Sequence, residues 1–600
     1  STTTPELTTA ETLESLGGEP CPDSEFTCVV FTMPLDHFDP GNEATIDVTF
    51  AVRPADGESQ GAFVTLNGGP GASGIVVADD YLTYYPAEIA ETFDMVFFDP
   101  RGIGSSGGFT CPHAAAAYYR AEGYAYSAAG INRLIESTSV FVSDCLEEMG
   151  HPDQLAFVST EQVAEDLEVF RQAFEFDQFV LFGESYGTQV GQTYAAAHGG
   201  ALDRLVIDGV VDLTLEGNEY HRQMAEASSR TLDLSLAACD EDPWCSVDMR
   251  TSAGDVYSEL AAQLREGPLS LDFPLPTGGI EPRTLSLADF ETAAAGSLYS
   301  EADRMMFNRA LAAYGGRGDL VPLLRLAYIN LVIDPATEEA IDDPTWSDAM
   351  YYAVECLDYA YPGETPEARV EHIADGADGI HGLTLGTVYY GDLPCAFWPH
   401  GGQGERPPPL VAEGIPTLVL GSTVDPVTPY QQGVEVHSRL ADGHIISKEG
   451  GPHVIFGWGE ECPDAEVAAF IVEGTAPSTD MCDGVVVDEY VPLFPDPLPD
   501  DEEFLLDSIE WEIVFHPDYY YWDGVTDSSV GCYNGGTWSF SGTDDGNDLR
   551  FDDCELVPGV TINGTGAYDF EGDIFTLSAT VNGCSYEYQR AGDEYEVEGC

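Results

Sequence analysis

A pentapeptide with a central serine is the clearest chemical signal in the sequence. Gly183-Glu-Ser-Tyr-Gly187 follows the apolar run Phe179–Phe182 and precedes an alanine-rich, helix-compatible stretch, 188–198. A G-x-S-x-G motif between a strand and a helix forms a sharp turn that presents its serine at the end of a sheet. We therefore predict that Ser185 is a nucleophile. A chance match in a glycine-rich chain is the less favoured interpretation.

A serine hydroxyl is a weak nucleophile, so it needs a basic neighbour and an acid that orients the base. After an elbow of this kind the acid and then the histidine follow along the chain. Asp425 lies on the loop after the strand-like run Thr417–Leu420, and His453 lies on the loop after the next such run. We predict that both join Ser185 in a catalytic triad. Asp442 and His444 are the rival candidates, but His444 begins a strand and is expected to pack.

Acyl transfer also needs donors for the oxyanion of the tetrahedral intermediate. The segment Asn67-Gly-Gly-Pro-Gly71 follows the strand-like run Ala62–Leu66, where one backbone donor is expected. Pro70 has no N–H, so Gly69 is the predicted donor, and Tyr186 supplies the second amide. An ordinary glycine and proline turn is the alternative interpretation. The loop at 99–105 is predicted to be structural, with Arg101 in an ion pair.

The elements around these residues alternate between strand and helix patterns up to about residue 214, which predicts an α/β sheet with right-handed crossovers. A helix-rich insertion then interrupts the sheet and is predicted to form a cap over one end of it, before buried strands resume. We predict these segments: a flexible leader (1–24), the first part of the sheet (25–214), the cap (215–385), the second part of the sheet (386–487), an acidic Pro-rich linker (488–504) and an accessory domain (505–600).

The accessory domain is rich in Gly, Asp, Thr and Tyr and in short alternating runs such as 576–581. This composition predicts an all-β domain, a β-sandwich or barrel. The domain is expected to contact a surface or a carbohydrate, to bind a partner, or to stabilise the protein; the sequence leaves these alternatives open.

Charge and cysteine content restrict where the protein works. The 600 residues include 106 acidic and 21 basic side chains, a formal net charge of −85. Such a charge repels phosphates, so nucleic acid is excluded as a partner, and no apolar run is long enough for membrane insertion. Fourteen cysteines, an even count, favour disulfides and a secreted or extracellular protein, with cell-surface tethering left open. A generally acidic secreted surface and a saline environment explain the charge equally well.

Several motifs together resemble the secreted proline iminopeptidase and tripeptidyl aminopeptidase family of α/β-hydrolases. The motifs are 68–74, 99–105, 183–188, 208–211, 356–358, 395–398 and 462–482, so the resemblance spans roughly residues 21–482. It implies an α/β-hydrolase fold and the release of one to three residues from peptides with a free N-terminus. By position it assigns Ser185, Asp425 and His453 to the triad and Gly69 and Tyr186 to the oxyanion hole, with no cofactor and no metal. Asn67 stands where many relatives have histidine, which leaves the backbone role intact.

The same triad on the same fold also cleaves esters and lipids, so a secreted carboxylesterase or lipase-type hydrolase is the alternative function. A non-catalytic surface-binding protein that kept an enzyme-like scaffold is a second alternative. An intact nucleophile, acid and base in the expected order make that second alternative the less favoured one.

Overall fold

The computed structural model describes residues 7–121, 127–377, 380, 383–401, 406–495, 502–543, 545–570, 572–592 and 594–599. Residues 1–6 of the predicted leader and 496–501 of the predicted linker lie outside the described residues. By internal contacts the chain divides into two compact units. Unit 1 comprises residues 1–232, 298–301 and 342–486, and unit 2 comprises residues 233–297, 302–341 and 487–600. The predicted cap, 215–385, is therefore divided between the two units.

The strands, in chain order, are β1 (Glu19–Pro20), β2 (Thr27–Pro34), β3 (Thr45–Arg53), β4 (Ala62–Leu66), β5 (Asp94–Asp99), β6 (Phe179–Glu184), β7 (Leu202–Asp208), β8 (Leu269–Pro274), β9 (Ile280–Leu285), β10 (Thr417–Ser422), β11 (Gly443–Lys448), β12 (Met481–Cys482), β13 (Ser528–Gly531), β14 (Thr537–Thr543), β15 (Gly546–Val557), β16 (Val560–Asp569), β17 (Ile574–Val581), β18 (Cys584–Ala591) and β19 (Glu594–Gly599).

The α-helices are α1 (Thr9–Ser15), α2 (Ala78–Tyr84), α3 (Ala87–Thr92), α4 (Pro112–Tyr119), α5 (Ala128–Met149), α6 (Thr160–Ala173), α7 (Gly187–His198), α8 (Gly217–Glu241), α9 (Pro243–Met249), α10 (Ala253–Glu266), α11 (Leu287–Gly296), α12 (Glu301–Arg317), α13 (Val321–Asn330), α14 (Asp348–Asp358), α15 (Pro366–Gly376), α16 (Tyr430–His437), α17 (Glu461–Glu473), α18 (Glu502–Val514) and α19 (Pro517–Tyr520). Short 3₁₀ helices cover Gly104–Ser106, Asp153–Phe157, Gly199–Ala201 and Gly386–Ala396.

Unit 1 is built on a ten-stranded mixed sheet in the order β1-β2-β3-β5-β4-β6-β7-β10-β11-β12. Its first strands pair antiparallel, whereas β5, β4, β6, β7, β10, β11 and β12 run parallel to one another. These central strands read as continuous apolar runs because both faces of the sheet are covered and buried. The predicted α/β-hydrolase sheet is confirmed.

Five neighbouring parallel strands, β4, β6, β7, β10 and β11, end at the same edge of this sheet. The carboxyl ends of parallel strands in an open α/β sheet are where such folds place their ligands. All five predicted site residues lie just beyond these strand ends. The topology therefore gathers residues that lie up to several hundred positions apart in the chain.

The predicted flexible leader contains ordered structure. Thr8 and Glu11 form a capping box at the start of α1, and Leu13 of that helix is buried in the core of unit 1. Glu19 and Pro20 then pair with β2 as its antiparallel edge strand. One buried leucine and two strand pairs hold this segment, although its polar composition gave no sign of them.

Six disulfides join cysteines of the described residues. They are Cys21–Cys28, Cys111–Cys145, Cys239–Cys245, Cys356–Cys395, Cys462–Cys482 and Cys532–Cys554. Disulfides in this number fit an extracellular protein. Across the described ranges, no helix has the length and apolar character needed to cross a bilayer.

Unit 2 contains a second, separate sheet of seven strands, all antiparallel, in the order β13 to β19. The predicted all-β terminal domain is thus confirmed, but a single open sheet takes the place of the predicted sandwich or barrel. Helix α18 explains the difference, because its Leu506, Ile509 and Ile513 join the same apolar core as the inner face of the sheet. Unit 2 also holds the antiparallel hairpin β8–β9 within the segment predicted to be helical.

Candidate active site

The turn between β6 and α7 places Ser185 at the sheet edge. Ser185 has a left-handed backbone with φ +52°, an uncommon conformation for a residue other than glycine. The flanking glycines are required by space: a Cβ on Gly183 would lie 2.4 Å from the Gly187 carbonyl oxygen, and one on Gly187 would lie 1.8 Å from the Leu66 carbonyl oxygen. This is the strained elbow that the G-x-S-x-G motif predicts.

The predicted acid and base lie together. His453 Nδ1 is 2.8 Å from Asp425 Oδ2, and the carboxylate accepts the N–H because it can only accept. Asp425 is buried, and its Oδ1 accepts the backbone amides of Val427 at 2.9 Å and Thr428 at 2.8 Å. The carboxylate is therefore fixed by its own loop, and it leaves Nε2 of the imidazole as the nitrogen that can accept a proton.

Thr428 is a member of this cluster that the sequence analysis missed. Its hydroxyl donates to Asp425 Oδ2 at 2.9 Å and lies 3.2 Å from His453 Nδ1. The spacing of three residues from Asp425 is the one available sequence signal, and it is equally typical of an ordinary turn. The hydroxyl ties the acid and the base into one hydrogen-bonded group.

Ser185 follows β6, which β7 separates from the strands β10 and β11 that precede Asp425 and His453. Within the described residues, Ser185 Oγ makes no hydrogen bond with the His453 imidazole. Catalytic contacts of this kind are often long without substrate and shorten when it binds. Gly68 lies against the serine on the other side, since a Cβ on Gly68 would be 3.1 Å from Ser185 Cβ.

The predicted oxyanion donors flank the serine. Gly69 follows β4 in a left-handed conformation with φ +113°, and Asn67 of the same loop has its Nδ2 3.5 Å from Glu184 Oε1. Tyr186 stands immediately before α7, where the first amides of a helix have no acceptor within it. The two candidate donors thus lie beyond the end of β4 and at the start of α7.

The neighbouring loop at 99–105 has a structural role, as predicted. Arg101 is buried, and its guanidinium contacts both carboxylate oxygens of Asp166, at 2.5 and 2.8 Å. The remaining N–H groups donate to the backbone carbonyls of Pro34, Leu35 and Phe157. The predicted ion pair of Arg101 is confirmed.

Three carboxylates face the imidazole of His453. Burial lowers the pKa of this histidine, but the Asp425 charge and hydrogen bond, with the charges of Asp208 and Glu184, outweigh burial and raise the pKa above its ordinary value. The edge of the Tyr299 ring also packs against the imidazole, at 5.7 Å between ring centres. This surrounding stabilises the imidazolium that forms during proton transfer.

A second group of carboxylates lies in the core of unit 1. Glu355 of α14 is buried, and its Oε1 has no hydrogen-bond partner. Burial, then the charges of Asp358 and Asp392, raise the pKa of Glu355 to about 8. Asp358 is already occupied, because it accepts the Thr160 amide at 3.0 Å and its hydroxyl at 2.5 Å.

This carboxylate group is connected to the site around Ser185. The N-terminal end of α14 rests on the oxyanion loop, where the Ser347 amide donates to the Gly71 carbonyl at 3.0 Å. The Tyr186 hydroxyl reaches Thr160 Oγ1 at 2.6 Å, and Thr160 in turn contacts Asp358. Burial raises the pKa of Tyr186 most, and the charge of Asp358 raises it further. The charge of Glu355 acts in the same direction.

Comparison with known proteins agrees with this geometry. The family model described as TAP-like protein matches residues 385–482. The serine protease Hip1 of Mycobacterium tuberculosis is 29% identical over 459 residues, covering 75% of this chain and 86% of the relative. Carboxylesterase B of M. tuberculosis is 29% identical over 465 residues, with 76% and 85% covered. The tripeptidyl aminopeptidase of Streptomyces lividans is 25% identical over 476 residues, with 76% and 83% covered.

These similarities confirm the predicted resemblance to tripeptidyl aminopeptidase-like α/β-hydrolases. The chain is a serine hydrolase. The matched family model includes β10, β11 and β12 of the ten-stranded sheet, whereas the seven-stranded sheet of unit 2 lies beyond it.

Proposed function

We propose that this serine hydrolase is a secreted aminopeptidase, which releases one to three residues from peptides with a free N-terminus. Ser185 Oγ attacks the peptide carbonyl carbon while His453 takes its proton, and Asp425 holds the imidazole in the required tautomer. The backbone amides of Gly69 and Tyr186 stabilise the oxyanion. His453 then protonates the leaving amine as the C–N bond breaks, and an acyl-enzyme remains. Water, deprotonated by His453, releases the acid and restores Ser185.

The observation that carries the choice of an aminopeptidase is the buried carboxylate of Glu355. A buried carboxylate oxygen without a hydrogen-bond partner, here Oε1, is costly, and an ammonium group would remove that cost through a charge-assisted hydrogen bond. A peptide N-terminus is such a group, and Glu355 lies on α14, whose Ser347 amide donates to the Gly71 carbonyl of the oxyanion loop. Names of relatives agree with peptide chemistry, since they include a serine protease and a tripeptidyl aminopeptidase.

The main alternative is a carboxylesterase that uses the same triad. A relative of equal identity named carboxylesterase B favours it, and esters need no ammonium subsite. Assays of fluorogenic tripeptides with free or acetylated N-termini, beside a p-nitrophenyl ester, distinguish the two functions. We expect cleavage of the free but not of the acetylated peptides, and no peptide turnover by Ser185→Ala; ester turnover without peptide cleavage would favour the carboxylesterase.

Replacement of the carboxylate tests the proposed ammonium subsite. Glu355→Gln should reduce kcat/KM for free peptides by about 10- to 100-fold, the value of a hydrogen bond to a charged group. Ester turnover should be unchanged. Glu371→Gln, which alters an exposed glutamate of the following helix α15, is the control. Equal cleavage of blocked and free peptides, or an unaffected Glu355→Gln, would contradict the aminopeptidase.

A further inference from the structure

Asp208, the last residue of β7, contacts the backbone on both sides of the proposed catalytic pair. Its carbonyl oxygen accepts the Ser185 amide at 2.8 Å. Its carboxylate Oδ2 accepts the amides of Ile455 at 2.8 Å and Phe456 at 2.9 Å, two and three residues after His453. The side chain is fully buried, and its Oδ1 has no hydrogen-bond partner. One residue therefore joins the backbone of the nucleophile to the loop that carries the base.

The loop that carries His453 has a strained backbone and needs such support. Val454 has φ +67°, a left-handed conformation that is a genuine outlier for a β-branched residue. Conformations of this kind persist only where surrounding contacts fix them. Before Val454, the His453 amide donates to the Tyr299 carbonyl at 2.7 Å; after it, Asp208 holds the next two amides. The hydrogen bonds thus secure the strained residue from both sides.

The residue after Asp208 lies directly against the imidazole. A Cβ on Gly209 would lie 3.0 Å from His453 Cε1 and 3.0 Å from Thr428 Oγ1. The Gly209 amide is itself fixed to the Leu420 carbonyl of β10 at 3.2 Å. The end of β7 therefore forms the surface on which the imidazole rests, so a displacement of this strand end would move the ring relative to Ser185.

We propose that Asp208 is a positioning residue, which aligns the His453 imidazole with Ser185 by holding the amides of Ile455 and Phe456. This inference rests on the proposed function, in which His453 activates Ser185. It assigns no reaction step to Asp208 itself. The carboxylate acts on the reaction through the loop, and it adds a negative charge beside the imidazole.

The negative charge of Asp208 provides a second readout, the pH dependence of activity, which a purely structural role would not change. Burial raises the pKa of Asp208 to about 7, against the opposing effect of the two loop amides and His453, while Glu184 raises it further. The groups facing His453 are Asp425, Asp208, Glu184, the Tyr299 ring and the Thr428 hydroxyl. Loss of one carboxylate among these should lower the pKa of the imidazole and extend activity to lower pH.

The test compares two replacements of Asp208 with the wild type and with Ser185→Ala. In Asp208→Asn the amide oxygen still accepts both loop amides, so kcat should stay within about threefold of wild type. The acidic limb of its kcat/KM profile should move to lower pH. In Asp208→Ala both hydrogen bonds are lost, and kcat should fall about 10²-fold, with KM little changed, as for a misplaced catalytic group. Asp203→Asn, on the exposed end of the same strand, is the control.

Two results would overturn the positioning role: wild-type kcat in Asp208→Ala, or an unmoved acidic limb in Asp208→Asn. If circular dichroism shows that Asp208→Ala does not fold, the pH profile of Asp208→Asn decides alone. Activity that persists in Ser185→Ala would instead refute the proposed function, so the two failures are distinguishable.

Discussion

The backbone amide of Gly68 faces the carboxylate of Glu184, the residue before the proposed nucleophile, and opposes the rise that burial causes in the pKa of that carboxyl. Glu184 also accepts the Tyr81 hydroxyl and lies 3.5 Å from Asn67 Nδ2. The residue that enters the elbow thus fixes the loop on which the first oxyanion donor, Gly69, is expected. The G-x-S-x-G motif allows any residue at this position, but in this protein Glu184 connects the nucleophile to that loop.

Replacement of Glu184 should weaken oxyanion stabilisation without removing the nucleophile. Glu184→Ala should lower kcat by about 10- to 10²-fold. This loss should not exceed the loss that follows when an oxyanion donor is itself removed. The measurement is the acylation rate of a p-nitrophenyl ester in a pre-steady-state burst. Glu88→Ala, at an exposed position on α3, is the control. A burst rate equal to that of the wild type in Glu184→Ala would show that this carboxylate does not support the oxyanion loop.

The Thr428 hydroxyl should contribute to the rate through Asp425 and His453. Thr428→Val keeps the shape of the side chain and removes the hydroxyl, so kcat should fall about fivefold, as for one hydrogen bond of about 1 kcal/mol. Thr428→Ser retains the hydroxyl and should behave like wild type. If the valine and serine variants have equal kcat, the hydroxyl has no part in orienting the acid and the base.

The acidic limb of the pH–rate profile should report His453. The imidazole must be neutral to accept the serine proton, and its pKa is raised above the ordinary value of about 6.5. Activity should therefore fall as pH decreases through a midpoint above about 6.5. Asp425→Asn should reduce kcat about 10⁴-fold, because the amide favours the wrong tautomer. The rival residue offers the control, Asp442→Asn, and an equal loss in that variant would contradict the assignment of the acid.

The protein has 106 acidic and 21 basic residues, so its thermal stability should depend on salt concentration. Counterions screen repulsion between surface charges, since the Debye length falls from about 10 Å at 0.1 M to about 3 Å at 1 M salt. We expect Tm to rise between these concentrations of potassium chloride, as measured by calorimetry. A Tm that is constant or falls over that range would remove salinity as the explanation of the composition.

The sheet and the positions of the candidate residues were predictable because their signals are local. The run Ala62–Leu66 matches β4 residue for residue, and the elbow at Ser185 combines a strand, two glycines and a helix within twenty positions. Asp425 and His453 could be located by the rule that ligands gather beyond the carboxyl ends of parallel strands. Their roles in catalysis remain predictions for the experiments above.

The supporting contacts were not predictable because their partners are far apart in the sequence. Asp208 and Ile455 are separated by 247 positions, and Thr428 and His453 by 25. No periodicity or motif records such pairs. In the terminal domain, alternation along each strand predicted the β-structure, but it could not show whether a second sheet or a helix covers the apolar face; α18 covers it.

The identity of the nucleophile is tested most directly by covalent labelling with a fluorophosphonate, which reacts with activated serines. Intact-mass and peptide mapping should place a single adduct on Ser185, with peptide and ester turnover lost in proportion to labelling. Ser185→Ala should remain unlabelled and His453→Ala should label far more slowly. An adduct on another residue, or undiminished labelling of His453→Ala, would contradict the proposal that His453 activates Ser185.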